Sequence, residues 1–285
     1  MSAPTVAADS RLAVVRDELA KLPAFLRRDL VVALSYRMSF VTEWIGLGVQ
    51  TVLFYFVGRM VNPSVLPAYG GTRAGYLEFA VVGIAVGGFV TLALARVATG
   101  IRNEQMVGTL ESLLMTPTAP TTIQLGTVFY DLLYIPLRTA LFLVLTAALF
   151  GLDFHAAGFL PALTILLVFI PFVWGLGVAN AGLILTFRRG SGIAGFAATM
   201  LTLASGAFFP LSLLPSWLET IARINPLAIA IDGMRAALLG GSGWTDAGIA
   251  IAKLAPFASV SLVVGFWIFG LALRRERRLG TLGLY

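Results

Sequence analysis

From Ala162 to Phe187 the chain runs for 26 residues without a charged side chain. A helix of that length rises about 39 Å, more than the ~30 Å hydrocarbon thickness of a bilayer. Lipid offers no hydrogen-bond partners, so a backbone crossing it must satisfy itself, as a helix does. Five further runs share this character: about Phe40–Val57, Phe79–Ala95, Val128–Phe150, Gly192–Pro210 and Leu254–Leu273. Val128–Phe150 is the least uniform, because it contains Asp131 and Arg138. The reading is an all-α polytopic membrane protein with six transmembrane helices, residues 39–285 forming the spanning domain and 1–38 a polar N-terminal segment. Composition supports lipid as the solvent: 58% of residues are hydrophobic and 12% charged, the latter about half the share of soluble domains.

An even number of spans places both termini on one side. On that side lie fourteen Lys and Arg residues, including Arg27, Arg28, Arg102, Arg188, Arg189 and the Arg274–Arg278 cluster. The opposite side receives five: Arg59, Arg73, Arg223, Arg235 and Lys253. Excess positive charge marks the cytoplasmic face. Both termini are therefore expected in the cytoplasm of a cell with a plasma or inner membrane. The net charge of +6 then reads as topology and headgroup contact, not as nucleic-acid binding. The polar first 38 residues lack the short apolar core of a cleaved signal peptide.

Three segments lie outside the spans. Residues 10–38 carry Leu12, Val15, Leu19, Leu22, Leu26 and Leu30 at helical spacing. This predicts an amphipathic helix lying in the membrane interface with Arg27 and Arg28 near phosphates, or packed on a partner, and Pro23 should kink or split it. Between the second and third spans, Met106, Leu110, Leu113 and Leu114 share a face, which predicts a short helix over 103–116 stopped by Pro117 and Pro120. Thr118, Thr121 and Thr122 are candidate caps for the next span. Before the last span, residues 206–241 form a hairpin in which Pro210, Pro215, Asn225 and Pro226 punctuate a short helix striped by Trp217, Leu218, Ile221 and Ile224. It is too short to cross and too apolar for a free loop, so it is re-entrant or interfacial, and either lines a pathway or caps the outer face.

Catalytic patterns are missing. No GxxxxGK[ST] occurs, there is no Cys, His155 is the sole histidine, and the predicted topology separates it from Ser191. Acidic clusters suited to a metal are also missing, so no catalytic or metal residues are assigned. Arg138, about 15 Å into its span, must face the bundle, snorkel or meet an acid on another helix, such as Glu43 or Glu78; Asp131 is two turns away. Packing and substrate contact remain open for both residues. Gly83 and Gly87 form a GxxxG that permits close helix approach.

The stretches "RNEQMVGTLESLLMTP" (102–117), followed by Leu125–Gly126, and "FFPLSLLPSWLETIARINPLAIAIDGMRAALLGG" (208–241) resemble the two signature regions of ABC-2-type permeases, the membrane subunits of bacterial ATP-binding-cassette exporters. The resemblance implies a pair of permease subunits, each docked on a separate nucleotide-binding ATPase that carries ATP and Mg, with no cofactor on this chain. It also implies that 103–116 is the coupling helix, with Asn103, Glu104, Gly108, Thr109, Glu111 and Leu114 as contact or shape residues. The motifs look closer to the drug-exporter branch, which implies a drug-like or lipid-like amphipathic cargo. A polysaccharide or glycolipid permease, or a non-transporting membrane assembly or sensor protein, is the alternative.

Overall fold

A computed structural model describes residues 16–62, 66–69, 72–73, 75–108, 112–113, 115–187, 191–241 and 243–279. In chain order the helices are α1 (Leu22–Ser35), α2 (Arg37–Gly58), α3 (Tyr76–Val107), α4 (Pro120–Phe150), α5 (Phe159–Phe187), α6 (Ser191–Leu203), α7 (Ser216–Ile224), α8 (Pro226–Gly240) and α9 (Trp244–Leu279). An antiparallel two-residue pair, β1 (Ala68–Tyr69) and β2 (Thr72–Arg73), lies between α2 and α3. Pro23 stands in the first turn of α1, where its missing N–H costs nothing, after a turn at Ala20–Lys21. Residues 10–15 of the expected N-terminal helix lie outside the described residues.

Among the described residues, five helices are long and apolar enough to cross a bilayer, over Arg37–Gly58, Tyr76–Arg96, Leu125–Phe150, Ala156–Ile184 and Trp244–Arg275. The helices themselves outrun the apolar stretches, α3 continuing to Val107 and α9 to Leu279. Arg, Glu and Gln end a hydropathic run but propagate a helix well, so the charges at 96–107 and 274–278 do not terminate it. The segment expected to be the remaining span, 192–210, differs. Its helix α6 holds 13 residues, about 20 Å, and the chain then leaves helical geometry. Gly206 takes φ +71°, and Pro210 is extended at φ −60°, ψ 139°.

The interior is built by α3, α5, α8 and α9. Helices α5 and α9 run parallel: Ser261 Oγ donates to the Phe172 carbonyl at 2.7 Å, Trp174 meets Phe266 edge-on at 5.3 Å, and Gly182 faces Phe269. Contacts thus advance along both sequences together. Gly175 and Gly265 make this approach possible, because a Cβ on either would enter the backbone of the other helix. Two parallel helices require the intervening chain to travel back the length of the bundle. Residues 191–210 do so, antiparallel to α3: Gly87 faces Thr202, Gly83 faces the Ala207 carbonyl, and the Tyr76 hydroxyl donates to the Phe208 carbonyl at 2.9 Å. The GxxxG of α3 therefore receives α6 and its non-helical continuation.

That continuation is held by Arg235 of α8. The Arg235 side chain is 1% exposed. Its Nη1 donates to the Gly206 carbonyl at 2.9 Å, its Nη2 to Ala207 at 2.9 Å and to Phe79 at 2.9 Å, and its Nε to Phe79 at 3.1 Å. The guanidinium also lies 3.4 Å from the Phe79 ring centroid, and Asp232 balances its charge at 3.5 Å. The charge pattern counts Arg235 among the outer-side residues, and the apolar stripe of the helical hairpin marks only Trp217–Ile224. Leu227, Ala230, Ile231, Ala237 and Leu238 of α8 are fully buried, so its apolar residues face protein where a span would face lipid.

Replacing Arg235 with Leu removes its hydrogen bonds to three buried carbonyls and is expected to cost roughly 3 kcal/mol or more. Arg235→Lys, with one ammonium in place of a fork, should recover only part of this. The thermal unfolding midpoint of the purified protein in detergent checks both, and a midpoint unchanged in Arg235→Leu would contradict the assigned role.

Candidate functional site

Opposite the hairpin, α1, the tip of α3 and the start of α4 gather at one end of the bundle. Helix α3 extends 11 residues past Arg96, about 16 Å, and stops at Gly108. That residue adopts φ +78°, a left-handed conformation suited to glycine at a helix C-terminus. The expected single helix over 103–116 is therefore divided. Asn103 belongs to α3, and Met106 is separated by the Gly108 turn from the leucines that follow. Thr109, Glu111 and Leu114 lie outside the described residues.

Glu104, on this tip, pairs with Arg28 of α1 at 2.8 Å, and Arg28 also meets Asp29 at 2.8 Å. Burial pushes the Asp29 carboxyl above its ordinary range, against the pull of Arg28. Phe25 of the same helix lies over Gly126, where a Cβ would strike the ring at 2.6 Å; the guanidinium of Arg28 sits 5.4 Å from that ring centroid. Arg27, expected near phosphates together with Arg28, is exposed. Arg28 joins α1 to α3, while Phe25 joins α1 to α4.

The loop into α4 is tied to the segment before α1. Lys21 Nζ donates to the Pro117 carbonyl at 2.7 Å and to Glu18 at 2.6 Å, and the Ala119 N–H donates to Glu18 at 3.2 Å. Ala119 is the N-cap residue of α4 and makes no side-chain cap. Thr118, Thr121 and Thr122 thus do not act as N-caps, and Pro120 begins a helix, where sequence reasoning gave it only the role of stopping one. Glu18 instead brings a carboxylate from another segment to the positive end of α4. Hydrogen bonds from Lys21, then Thr122, hold its carboxyl below the ordinary Glu range.

Arg138 meets Glu43 of α2 at 3.4 Å, one of the two acids anticipated. Glu43 also accepts from Tyr134 at 3.2 Å and pairs with Arg96 at 3.4 Å. Glu78, the other anticipated acid, instead accepts from the N–H of Gly75 at 2.7 Å and of Asp153 at 3.3 Å. Asp131 joins neither set. It lines a groove of about 570 Å³ bounded by α1, α2, α3 and α4.

At the far end, Pro210 precedes a short 3-10 turn and Pro215 caps α7. Trp217 is 67% exposed. Asn225 joins the two arms of the hairpin to α6: its side chain accepts from Leu227 N at 2.9 Å and donates to the Leu201 carbonyl at 3.0 Å. Pro226 then opens α8. The hairpin residues therefore sit together, remote from Glu104 and Gly108.

Two outcomes test the α1 junction. Arg28→Glu should loosen α1 by repulsion from Glu104, and adding Glu104→Arg should restore it; hydrogen exchange of the α1 amides reads both. The depressed Glu18 value means its contacts are present above the unfolded-state pKa and are lost as pH falls through the lower folded value. Protection of the Ala119 amide should disappear over that acid range, and should be insensitive to it in Glu18→Gln.

The match to an "ABC-2 type transporter" family extends over residues 23–239. Among curated relatives, "Inner membrane transport permease YadH" of Escherichia coli K12 is 28% identical over 195 residues, 67% of this chain and 73% of the relative. The protein of the same name from Shigella flexneri matches to the same extent. With its long apolar helices, the chain belongs to the ABC-2 type transporter family and is a multi-pass transmembrane permease.

Proposed function

We propose that this permease is the membrane half of an exporter, paired with a second permease subunit and driven by a separate ABC ATPase that carries ATP and Mg. The ATPase docks on 103–116. The observation that carries this reading is the union of the α3 tip with α1 and α4 through Glu104–Arg28 and Phe25–Gly126. A load on the loop after Gly108 is thereby delivered to three helices at once. Family membership supplies the kind of partner, and the cargo in this reading is a drug-like or lipid-like amphipath moved outward.

In the proposed topology, α6 with residues 204–210 is the fifth of six crossings, which the parallel course of α5 and α9 supports. Both termini then face the cytoplasm, with α1 in the inner interface. Helices α7 and α8 form a re-entrant hairpin from the outer side, its exposed stripe of Trp217, Ile221 and Ile224 suited to the headgroup layer.

The test is reconstitution of the complex in proteoliposomes. The chain alone should hydrolyse no ATP. Glu111→Lys, and Gly108→Val, which forces a β-branched residue into positive φ, should each lower transport-coupled ATPase stimulation roughly tenfold, within the usual range of coupling energies. Undiminished efflux of a fluorescent amphipathic dye after deletion of 103–116 would overturn the reading.

A further inference from the structure

We propose that the groove between α1, α2, α3 and α4 binds an amphipathic organic cation, with Asp131 as its counter-ion. This inference deepens the permease reading, since it names a cargo class and a place where that cargo is held.

The groove's volume of about 570 Å³ falls within the span usual for small-molecule sites. Its described lining carries four carboxylates, Asp29, Glu43, Glu104 and Asp131, against two guanidinium groups, Arg28 and Arg96. The guanidinium groups are already engaged: Arg28 by Asp29 and Glu104, Arg96 by Glu43. Arg138, behind Glu43, adds a second cation to that carboxylate. Asp131 is left over. Its Oδ1 is buried and accepts no hydrogen bond, and no cation among the described residues lies within ion-pair distance of it.

Asp131 stands six residues into the Leu125–Phe150 span, about 9 Å along the helix. An acid at such a depth is costly unless paired or hydrated, which is why ionisable groups inside spans mark ligand and ion pathways. Aromatic rings supply the rest of a cation site. Tyr130 and Tyr134 stack at 5.5 Å with planes 10° apart, and Phe40 leans on Tyr134 at 5.0 Å. Their π-faces attract an ammonium or phosphonium most strongly where water is scarce. The α1 wall presents Val32 and Ala33, apolar surface for the ligand's hydrocarbon part.

The probe is tetraphenylphosphonium, whose charge does not titrate, in equilibrium binding to the full-length protein in nanodiscs of zwitterionic lipid. Saturable binding is expected, weakened about tenfold by the isosteric Asp131→Asn and by Tyr130→Leu, and largely kept by Asp131→Glu. Tetraphenylborate, equal in size and opposite in charge, should bind no more weakly to Asp131→Asn than to the parent. Equal tetraphenylphosphonium affinity in Asp131→Asn and the parent would overturn the site and make Asp131 a hydrated carboxylate, as would a lack of saturable binding. Either result would leave the ATPase-coupling assay of the 103–116 variants unaffected, so the permease reading fails or stands separately.

Discussion

A carbonyl oxygen in hydrocarbon has no water to turn to, and the fold is organised around one group that meets this need. Arg235 is placed where the returning chain stops being helical, and its planar fork reaches carbonyls on two sides at once. Without a donor there, residues 204–208 could not leave helical geometry inside the bundle, and α6 would have to be longer. The same side chain ties α8 to α3 and so fixes the hairpin against the interior. Its charge is tolerable because Asp232, the Phe79 ring and the carbonyl dipoles surround it. Gly83 is the steric counterpart, removing the Cβ that would stand where the Ala207 carbonyl sits.

The second organising element is a set of charged contacts between segments far apart in sequence. Glu43 gathers Arg96, Arg138 and the Tyr134 hydroxyl from α3 and α4. Arg28 gathers Glu104, while Glu18 and Lys21 hold the loop into α4. Helix α2, whose faces are otherwise largely exposed, is thus held by Glu43 near its start and by Phe54, stacked on Phe208 at 5.2 Å, near its end. An ion pair that is half sheltered from water is stronger than a surface pair, yet easier to exchange than packed side chains. Such contacts suit a junction between helices that must both hold and move.

The spans were legible because lipid imposes a length and a polarity that few other environments do. Their boundaries were not, because helix formation continues through Arg and Glu once hydropathy has ended, as at 96–107. Helix α8 escaped notice for a related reason: residues buried by protein and residues buried by lipid have the same composition, and 15 residues are too few to announce a span. Arg235 resembled an ordinary loop cation, although its place amid "IDGMRAALL" gave a signal, an Asp and an Arg three residues apart on an otherwise apolar helix. The Arg138–Glu43 pair was anticipated, since a deep charge demands an acid. No local pattern foretold Arg28–Glu104, which closes 76 residues of chain. Gly108 was read as part of a helix because sequence spacing does not reveal the sign of φ.

The length of α3 has a mechanical meaning. Its closest steric contact with the returning chain is at Gly83, seven residues from its start and 24 from Val107. At 1.5 Å per residue the two arms measure about 10 Å and 36 Å. A stiff rod pivoting there is a lever with a mechanical advantage of about 3.5. A stroke of a few ångströms at the Gly108 tip becomes roughly one ångström beside Tyr76, with the force multiplied in the same proportion. Under the proposed ATPase coupling, a long, soft push at the Gly108 tip is geared into a short, hard one beside Tyr76.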